Sequence, residues 1–548
     1  MKKKMLSCLL AGTMVLGMLS GCGKTEVNSS EASQSSTSKQ ETTVESATAS
    51  TTVVEEPKEI TYPLEGNVKL TVGVAPNATV SGVCAGWAET AIMKEWQKQT
   101  GVEIEFVEAK DMNLLLAGGD MPDIILGWQG NSNYPGGWSA AIKDKIIQPI
   151  TEYYEEFAPD YAKLLAENPE KEQAWVDGEM WGFAYLLETM DQSCSSGMII
   201  RQDWLDDLGM KAPTNHEELY DVLKAFKEKK GAEYPLGMST GDIYDYMVKR
   251  GMMTSSFGLA QAQHYVLDGV VQPCYVGEEY KEVVTFFHKL YEEGLLDPNC
   301  AAVDSATKMS NFLNGKSGMM FGAIGSGLGS ILEATKDDPN FKAAGVAPFK
   351  TPDGDISMCS QYTGVLLQQG AFITTACKDI EAACKFLNFG YTEAGLDMFN
   401  FGIEGVSYEV VNGEKQYMDE TIRTNPNMTV TQAMYYYTRA LIGGPFMQQL
   451  DYLHKYNNKP EQIEALTNWS QSNAVDYCVP KLAMSTEDAT TYSNIMADIN
   501  TYSKESLAKF IVGEMSLDDW DKYEKQMEAF GLDTATELTQ KYYDEMMK

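Results

Sequence analysis

The sequence predicts an α/β protein with more than one domain, and three observations carry that prediction. The chain has 548 residues, more than the roughly 250–300 residues at which one hydrophobic core stops growing. From residue 62 onward, short apolar strands alternate with amphipathic helices, and a second run of this kind starts near residue 196. Such alternation is typical of mainly parallel sheets that are flanked by helices.

The chain begins with the pattern of an export signal. Three lysines at positions 2–4 precede an apolar stretch, residues 5–19, which is shorter than the about 20 residues of a bilayer span. The stretch runs into Leu-Ser-Gly-Cys at 19–22, which resembles a bacterial lipobox. We therefore expect residues 1–21 to be a signal peptide and Cys22 to carry a fatty-acyl (palmitate) anchor. The alternative is an ordinary signal peptide followed by an unrelated cysteine.

The segment that follows the signal has the composition of an unfolded tether. Residues 22–60 contain no aromatic residue and are rich in Ser, Thr and Glu. Such a segment buries too little apolar surface to offset the entropy of ordering it. The sequence therefore predicts a disordered tether between the anchor and a folded body.

The first part of the body predicts a strand, a helix and two further strands. NVKLTVGVA (67–75) and VEIEFVEA (102–109) alternate in polarity, and MPDIILGW (121–128) reads as a buried strand. ETAIMKEWQKQTG (89–101) is a helix pattern with its apolar residues three and four apart. VDGEMWGFAY (176–185) predicts a hairpin with Asp-Gly at its turn.

The second run predicts another α/β unit. SGMIIRQDWLDDLG (196–209) reads as a strand and a helix, and Thr214 is the expected cap of the next helix. A strand near 317–324 leads into the glycine-rich loop 325–329, which is not a phosphate-binding loop because no Gly-Lys-Ser/Thr follows. From about residue 430 the chain is predicted to be mainly helical.

The charge excludes several classes of partner. The chain has 78 acidic and 43 basic residues and a formal charge of −35, so it repels nucleic acid and anionic lipid headgroups. The chain has only four histidines. Because histidine is the usual metal ligand and general base, this small number disfavours a metal site or Ser/His catalysis. We expect no cofactor and no metal. The cysteines show no C-x-x-C spacing, and we expect buried free thiols rather than disulfides.

Seven stretches of the body, taken together behind a lipobox, resemble one family in that family's own order. The family is the extracellular solute-binding lipoproteins of carbohydrate ABC importers (family 1 type), in its large oligosaccharide-binding subgroup. The stretches are GDMPDI (119–124), DGEMWGFAY (177–185), residues 199–228, LYEEGLLDP (290–298), GKSGMMFG (315–322), residues 400–417 and residues 516–546.

The resemblance implies a two-lobe, type II periplasmic-binding-protein-like fold with a ligand between the lobes. It assigns 61–188 plus 366–410 to lobe 1 and 189–365 plus 411–548 to lobe 2. The crossings are expected near 185–192, 361–370 and 400–430. Many members carry a calcium loop after the helix that here ends in AFKE. At that position this chain reads KKGAE, which has too few oxygen ligands, so we expect no calcium there.

Candidate ligand contacts follow from the chemistry of sugars, which present apolar C–H faces beside hydroxyl groups. Such a ligand needs aromatic platforms and polar side chains. For Trp128, packing is an equal alternative, and Arg201 with Asp203 is equally read as an ion pair bracing the hinge. The predicted contacts are Trp87, Trp128, Gln129, Tyr134, Trp138, Trp181, Tyr185, Arg201, Asp203, Ser326, Tyr362 and Glu404.

The sequence thus predicts a non-catalytic, monomeric receptor on the extracytoplasmic face of a bacterial membrane. It would capture an oligosaccharide and pass it to the permease subunits of an ABC transporter. The first alternative is a glycan-degrading lipoprotein, because Gly-Met-Ser-Thr-Gly at 237–241 matches the G-x-S-x-G pattern of hydrolases. No HGGG segment accompanies it. The second alternative is an adhesive envelope protein.

Overall fold

The structure is a computed structural model that describes residues 59–129, 133–260, 264–354, 357–358, 364–472, 476–480, 482 and 484–547. These residues contain sixteen strands. The predicted signal peptide, Cys22 and nearly all of the tether lie outside these ranges. The strands are β1 Lys69–Val74, β2 Glu103–Glu108, β3 Ile124–Leu126, β4 Trp175–Val176, β5 Glu179–Met180, β6 Phe183–Leu187, β7 Ser196–Arg201, β8 Leu236–Gly237, β9 His264–Leu267, β10 Val270–Pro273, β11 Met319–Ala323, β12 Ala343–Val346, β13 Leu366–Ile373, β14 Tyr408–Val411, β15 Glu414–Tyr417 and β16 Met447–Gln448.

Helices surround these strands and make up most of the chain after residue 430. The α-helices are α1 Ala78–Ser81, α2 Ala91–Thr100, α3 Met112–Ala117, α4 Gly137–Lys143, α5 Tyr154–Phe157, α6 Pro159–Glu167, α7 Gln202–Leu208, α8 His216–Lys230, α9 Thr240–Asp242, α10 Gly277–Glu292, α11 Ser305–Leu313, α12 Ser330–Ala334, α13 Ile380–Asn388, α14 Glu393–Phe401, α15 Asp419–Ile422, α16 Val430–Tyr437, α17 Leu450–Tyr456, α18 Pro460–Trp469, α19 Thr486–Ile511, α20 Trp520–Phe530 and α21 Leu532–Met546.

The first sheet has six strands in the order β16-β6-β13-β3-β1-β2. Neighbours β1 and β2, β1 and β3, and β16 and β6 are parallel, whereas β13 is antiparallel to both β3 and β6. Five strands therefore run in one direction and β13 runs in the other. At the β6–β13 pair, a Cβ on Gly370 would lie 1.8 Å from the carbonyl oxygen of Phe183, so only glycine allows this approach.

The second sheet has four strands in the order β12-β7-β11-β8. β7 is antiparallel to both of its neighbours, and β11 is parallel to β8. Three strands share one direction, but two of the three neighbouring pairs are antiparallel, which differs from the mainly parallel sheet that was predicted. β7 follows β6 of the first sheet directly, without the crossover connection that parallel neighbours in one sheet need. It therefore begins at the crossing, on the side where β8 and β11 end, and so runs opposite to β11.

The predicted two-lobe α/β class is confirmed, and helix α2 shows how local sequence determines its elements. Thr90 caps α2 by accepting the Met93 N–H, and Gly101 ends it with a left-handed φ of 72°. Ile92 and Trp96 are fully buried, and the Trp96 ring stacks on a phenylalanine of α13 at 4.3 Å. The predicted helix over 89–101 is therefore present.

Helix α8 differs from its prediction at one residue. Its N-cap is Asn215, whose side chain accepts the Glu218 N–H. Thr214 lies one residue earlier and donates from both its N–H and its hydroxyl to the Glu218 carboxylate. The predicted cap at Thr214 was wrong by one position, because Asn215 is the residue in the extended conformation that precedes the first helical turn.

Three hydrophobic clusters hold the body together. One lies under the first sheet with α2, α13 and α14, and one lies under the second sheet with α8, α10, α19 and α20. The third joins β11, α16 and α18 to the β14–β15 hairpin. Of the described helices, not one combines the length and the apolar character that crossing a membrane requires.

The chain passes between the sheets close to the end of β6. The Gln192 side chain donates to the Gln448 carbonyl oxygen (2.9 Å), and the Leu450 N–H donates to the Glu188 carboxylate (2.6 Å). β16 pairs with β6, although it lies in the range 411–548 that the sequence assigns to lobe 2. The lobe boundaries remain a prediction. Within the range 411–548, β16 belongs to the first sheet.

Candidate functional site

The carboxyl ends of the strands define two edges, one on each sheet, on the side of the crossings. The first edge comprises residues 75–90, 127–129 and 133–136, which follow β1 and β3. The second edge comprises residues 238–260 and 324–329, which follow β8 and β11. In sheets of this kind ligands bind outside the carboxyl ends of the strands. These two edges are therefore the candidate site.

Trp128 is the best-placed aromatic residue of the first edge. It follows Gly127, whose N–H donates to the Gly370 carbonyl oxygen at 2.7 Å. Its half-buried ring lies 5.5 Å from the ring of Phe372 and 6.2 Å from that of Tyr134. The indole is thus held by packing while part of it stays accessible.

Two further predicted residues lie beside Trp128. Gln129 is exposed, and Tyr134 is half-buried with its hydroxyl donating to the Asp144 carboxylate at 2.9 Å. Burial and the neighbouring Asp144 charge raise the pKa of Tyr134, so the phenol stays a neutral donor. The structure therefore brings Trp128, Gln129 and Tyr134 together as predicted, although their contact with a ligand remains a prediction.

Trp138 and Trp181 lie in the core, which contradicts their assignment as ligand contacts. They are 1% and 0% exposed, and their rings stack at 4.5 Å with an angle of 4°. The Trp181 indole donates to the Gln173 carbonyl oxygen at 3.0 Å. Trp138 points inward because α4 turns it under Trp128, whose ring it contacts edge-on.

Trp87 and Tyr185 are also buried, so they support the first edge from below instead of lining it. The Trp87 indole donates to the Ala75 carbonyl oxygen at 2.9 Å, and its ring is 5% exposed. Tyr185 packs against Phe446 at 5.1 Å, and burial raises its pKa, with the Arg439 charge opposing. Contact of Trp87 and Tyr185 with a ligand remains a prediction.

Arg201 and Asp203 form the ion pair that one of the two interpretations predicts, but the pair lies at the opposite end of the second sheet. The guanidinium makes two hydrogen bonds to the Asp203 carboxylate, at 2.9 and 2.6 Å, and lies over the rings of Trp204 and Phe341. Arg201 ends β7 opposite Ala343. Because β7 is the reversed strand, its carboxyl end points away from the crossings, so the pair neither reaches the candidate site nor braces a hinge.

The remaining predicted residues are distributed over three places. Ser326 is exposed on the second edge, in the π-helical turn Ile324–Gly329. Glu404 is exposed in the turn before β14, where its backbone pairs with Tyr408. Tyr362 lies outside the described residues. Of these three, the structure places only Ser326 on a candidate edge.

Sequence reasoning missed two residues of the second edge. Tyr246 stacks on Phe321 with ring centroids 3.7 Å apart, and the Arg250 guanidinium lies 5.0 Å from the Tyr246 ring. Both residues are half-buried. The Arg250 charge also acts on the thiol of Cys194 in the first crossing, which places Arg250 near that crossing. Their segment carries no motif, so only the packing after β8 reveals them.

Ser239, the centre of the G-x-S-x-G pattern, caps a helix. Its hydroxyl accepts the Asp242 N–H at 3.0 Å, and the Asp242 carboxylate accepts the Ser239 N–H and the Lys308 ammonium. His216 is hydrogen-bonded to Ser256, and His264 is hydrogen-bonded to Thr536 and Tyr492. The serine is thus engaged as a cap and has an acid and an amine as neighbours.

The described residues offer little for metal or disulfide chemistry. Within the described ranges no group of three or more His, Cys, Asp or Glu side chains could hold a metal ion. The seven described cysteines form no disulfide, and five of them are buried. Burial raises the pKa of the Cys377 thiol to about 11, which keeps it unreactive.

Two sheets joined by short crossings, each with a strand-end edge on the side of the crossings, define a two-lobe binding protein. The family of bacterial extracellular solute-binding proteins matches residues 85–396. The chain belongs to this family.

Curated relatives and solved structures agree with this assignment. The chain is 24% identical over 490 residues to the fructooligosaccharide ABC transporter substrate-binding protein FusA of Streptococcus pneumoniae serotype 4, covering 83% of this chain and 87% of that protein. It is 25% identical over 333 residues to the polygalacturonan/rhamnogalacturonan-binding protein YtcQ of Bacillus subtilis, covering 58% and 63%. The alginate-binding protein AlgQ2 shares the fold with a TM-score of 0.69 at 23% identity, covering 89% and 100%.

Proposed function

We propose that this solute-binding protein captures an oligosaccharide between the two edges and delivers it to the permease of an ABC importer. The observation that carries the proposal is the half-buried Trp128, which is fixed by Phe372 and Tyr134 yet partly open on the first edge. A braced aromatic ring is the platform that the apolar face of a sugar ring needs. The names of FusA and YtcQ, which describe glycan binding, support the ligand class.

The second edge supplies the groups that a sugar's hydroxyls require. Ser326 offers a hydroxyl, and Arg250 and Tyr246 offer donors on a stacked pair. A ligand that touches both edges binds the closed arrangement of the lobes better than an open one and so shifts the population toward closure. The closed form then docks on the permease.

The ligand is proposed to be a neutral glycan. The chain carries a formal charge of −35 and only four arginines, and two of these are committed elsewhere: Arg201 to Asp203 and Arg439 to the core of the first lobe. An acidic surface repels polyuronates at long range. A neutral fructan or glucan meets no such barrier.

A thermal-shift screen of neutral and acidic oligosaccharides, followed by calorimetry and small-angle scattering, tests the proposal. We expect a higher Tm, saturable binding and a smaller radius of gyration with a neutral glycan, and unchanged sugar on chromatography. Release of glycan fragments would favour the alternative of a glycan-degrading enzyme. If Ser239 were its nucleophile, Ser239→Ala would abolish the release of fragments. No stabilisation and no compaction with any sugar would contradict the receptor.

The membrane anchor is part of the same proposal. Cys22 would carry the acyl chains, and the protein would act as a monomer on the outer face of the cell membrane. Cys22→Ala should release the protein into the medium and abolish incorporation of labelled palmitate. Retention of the Cys22→Ala variant on the membrane would contradict the anchor without affecting the ligand proposal.

A further inference from the structure

A pocket lies in the first lobe, away from the two edges. Its cavity of about 320 Å³ lies between α6 and the segment 171–175. Leu165 and Ala162 of α6 line one side of it, and Trp175 and Tyr154 provide aromatic walls. Its residues belong to the layer of helices and the β4–β5 hairpin that covers one face of the first sheet, whereas Trp128 and Ser326 lie at the carboxyl ends of strands.

Two aromatic rings form a corner of this pocket. The Trp175 and Tyr154 rings meet edge to face, with centroids 5.8 Å apart at an angle of 86°. Both side chains are half-buried. The Tyr154 hydroxyl donates to the Glu155 carboxylate at 2.9 Å, which fixes the phenol ring. The half-buried Trp175 indole keeps part of its surface open to the cavity.

The segment that carries the pocket is held in place at several points. The carboxylate of Glu170, just before it, accepts the N–H groups of Val365 (2.7 Å) and Leu366 (2.9 Å). Gln173 accepts the indole N–H of the buried Trp181. The pocket is therefore preformed, which lowers the entropic cost of filling it.

The rim carries one charge of each sign. Lys171 and Glu172 line the pocket and are exposed. The pair attracts neither an anion nor a cation by net charge, but it supplies ammonium donors and carboxylate acceptors next to an indole. Adjacent hydroxyl groups on a neutral ring need that combination.

We propose that this pocket binds one ring of a neutral saccharide, with its C–H face on Trp175 and its hydroxyls bonded to Lys171 and Glu172. The cavity is at the small end of the about 300–1,000 Å³ of ligand sites, so it takes a single ring instead of a chain. Because pocket and edges share no residue, the inference does not depend on the proposed function. The pocket would add a weak contact outside the site between the lobes.

Fluorine NMR of the full chain labelled with 5-fluorotryptophan tests the pocket. Trp175→Phe and Trp128→Phe assign the two signals among the nine tryptophans. The probes are the methyl α-glycosides of glucose, galactose and mannose at tens of millimolar, and kestose. We expect at least one methyl glycoside to shift the Trp175 signal saturably, with a dissociation constant in the millimolar range. No shift of that signal with any probe would overturn the proposal.

Matched variants separate a bound ring from a general solvent effect. Glu172→Gln should weaken the binding that the Trp175 signal reports about three- to tenfold, because the amide oxygen that replaces the carboxylate is a weaker acceptor and the difference is about that of one ordinary hydrogen bond. Glu167→Gln, an exposed residue of α6 outside the pocket, should leave it unchanged. Equal titrations in both variants would overturn the assignment. A response of the Trp128 signal alone supports the site between the lobes and contradicts the pocket. A response of the Trp175 signal alone supports the pocket and leaves the site between the lobes to the oligosaccharide screen.

Discussion

The two candidate edges, one at the strand ends of each sheet, are built differently. The first edge holds its half-buried ring, Trp128, by packing it against other aromatic residues, and Trp138 in the same stretch belongs entirely to the core. The second edge stacks Arg250 on Tyr246 and carries Ser326 on a turn. One lobe therefore offers an apolar surface and the other offers polar groups, so a ligand with both kinds of face is bound best when the lobes close.

The largest effect is expected where the first lobe stacks its tryptophans. Trp138→Ala removes a fully buried ring from the stack on Trp181, and such a truncation costs about 3–5 kcal/mol of the free energy of unfolding. Denaturant unfolding measures it. Trp128→Ala serves as the matched control and should cost less than half as much, because its ring is half-buried. Equal losses in the two variants would remove the distinction between core and edge.

The next effect concerns the back of the second lobe. His264 is buried between Thr536 at 2.9 Å and Tyr492 at 3.4 Å, and burial lowers its pKa to about 4 from the ordinary 6.5. The unfolded chain binds the proton more readily, so stability that is present above pH 6.5 is lost as the pH falls toward 4. The loss is about 2–3 kcal/mol.

Urea unfolding at a series of pH values measures this loss. His264→Gln should flatten the stability profile between pH 6.5 and 4. If His264→Gln keeps the parent slope, the acid sensitivity arises elsewhere.

A smaller effect is expected on binding at the first edge. Trp128→Ala should weaken affinity for the oligosaccharide about 10- to 100-fold, because a central aromatic anchor contributes about 1.5–3 kcal/mol. Calorimetry with the sugar that gives the largest thermal shift measures it. Trp520→Phe, at a buried position of α20, is the control and should bind normally. Unchanged affinity in Trp128→Ala would move the ligand away from the first edge.

The smallest effect is expected at the second edge. Arg250→Met keeps the length of the side chain but removes its charge and its donors over Tyr246, and it should weaken the same sugar about three- to tenfold. Lys504→Met, which removes an exposed ion pair with Asp245, is the control near the same segment. An Arg250→Met variant that binds as tightly as the parent would leave the first edge as the principal source of affinity.

Part of the candidate site follows from sequence and part does not. The stretch ILGWQG predicts that Trp128 and Gln129 lie at the carboxyl end of a strand, because a buried strand followed by glycine puts the next residues at the end of the sheet. The same reasoning failed for Arg201, which also follows a strand, because nothing local marks β7 as the reversed strand. Tyr246 and Arg250 escaped notice because their segment has neither a glycine-rich turn nor a motif.

The sequence by itself determined the export signal pattern, the α/β class, the capped helices such as α2 and the family resemblance, because each depends on residues a few positions apart. The tertiary structure decided which aromatic rings stay accessible and which strand ends lie on the side of the crossings. Trp128 is held by Gly370 and Phe372, more than 240 positions away, and the direction of β7 is set by its entry from the other sheet. The burial of a side chain and the direction of a strand depend on such distant neighbours. The periodicity and spacing of residues in the sequence do not reveal these contacts.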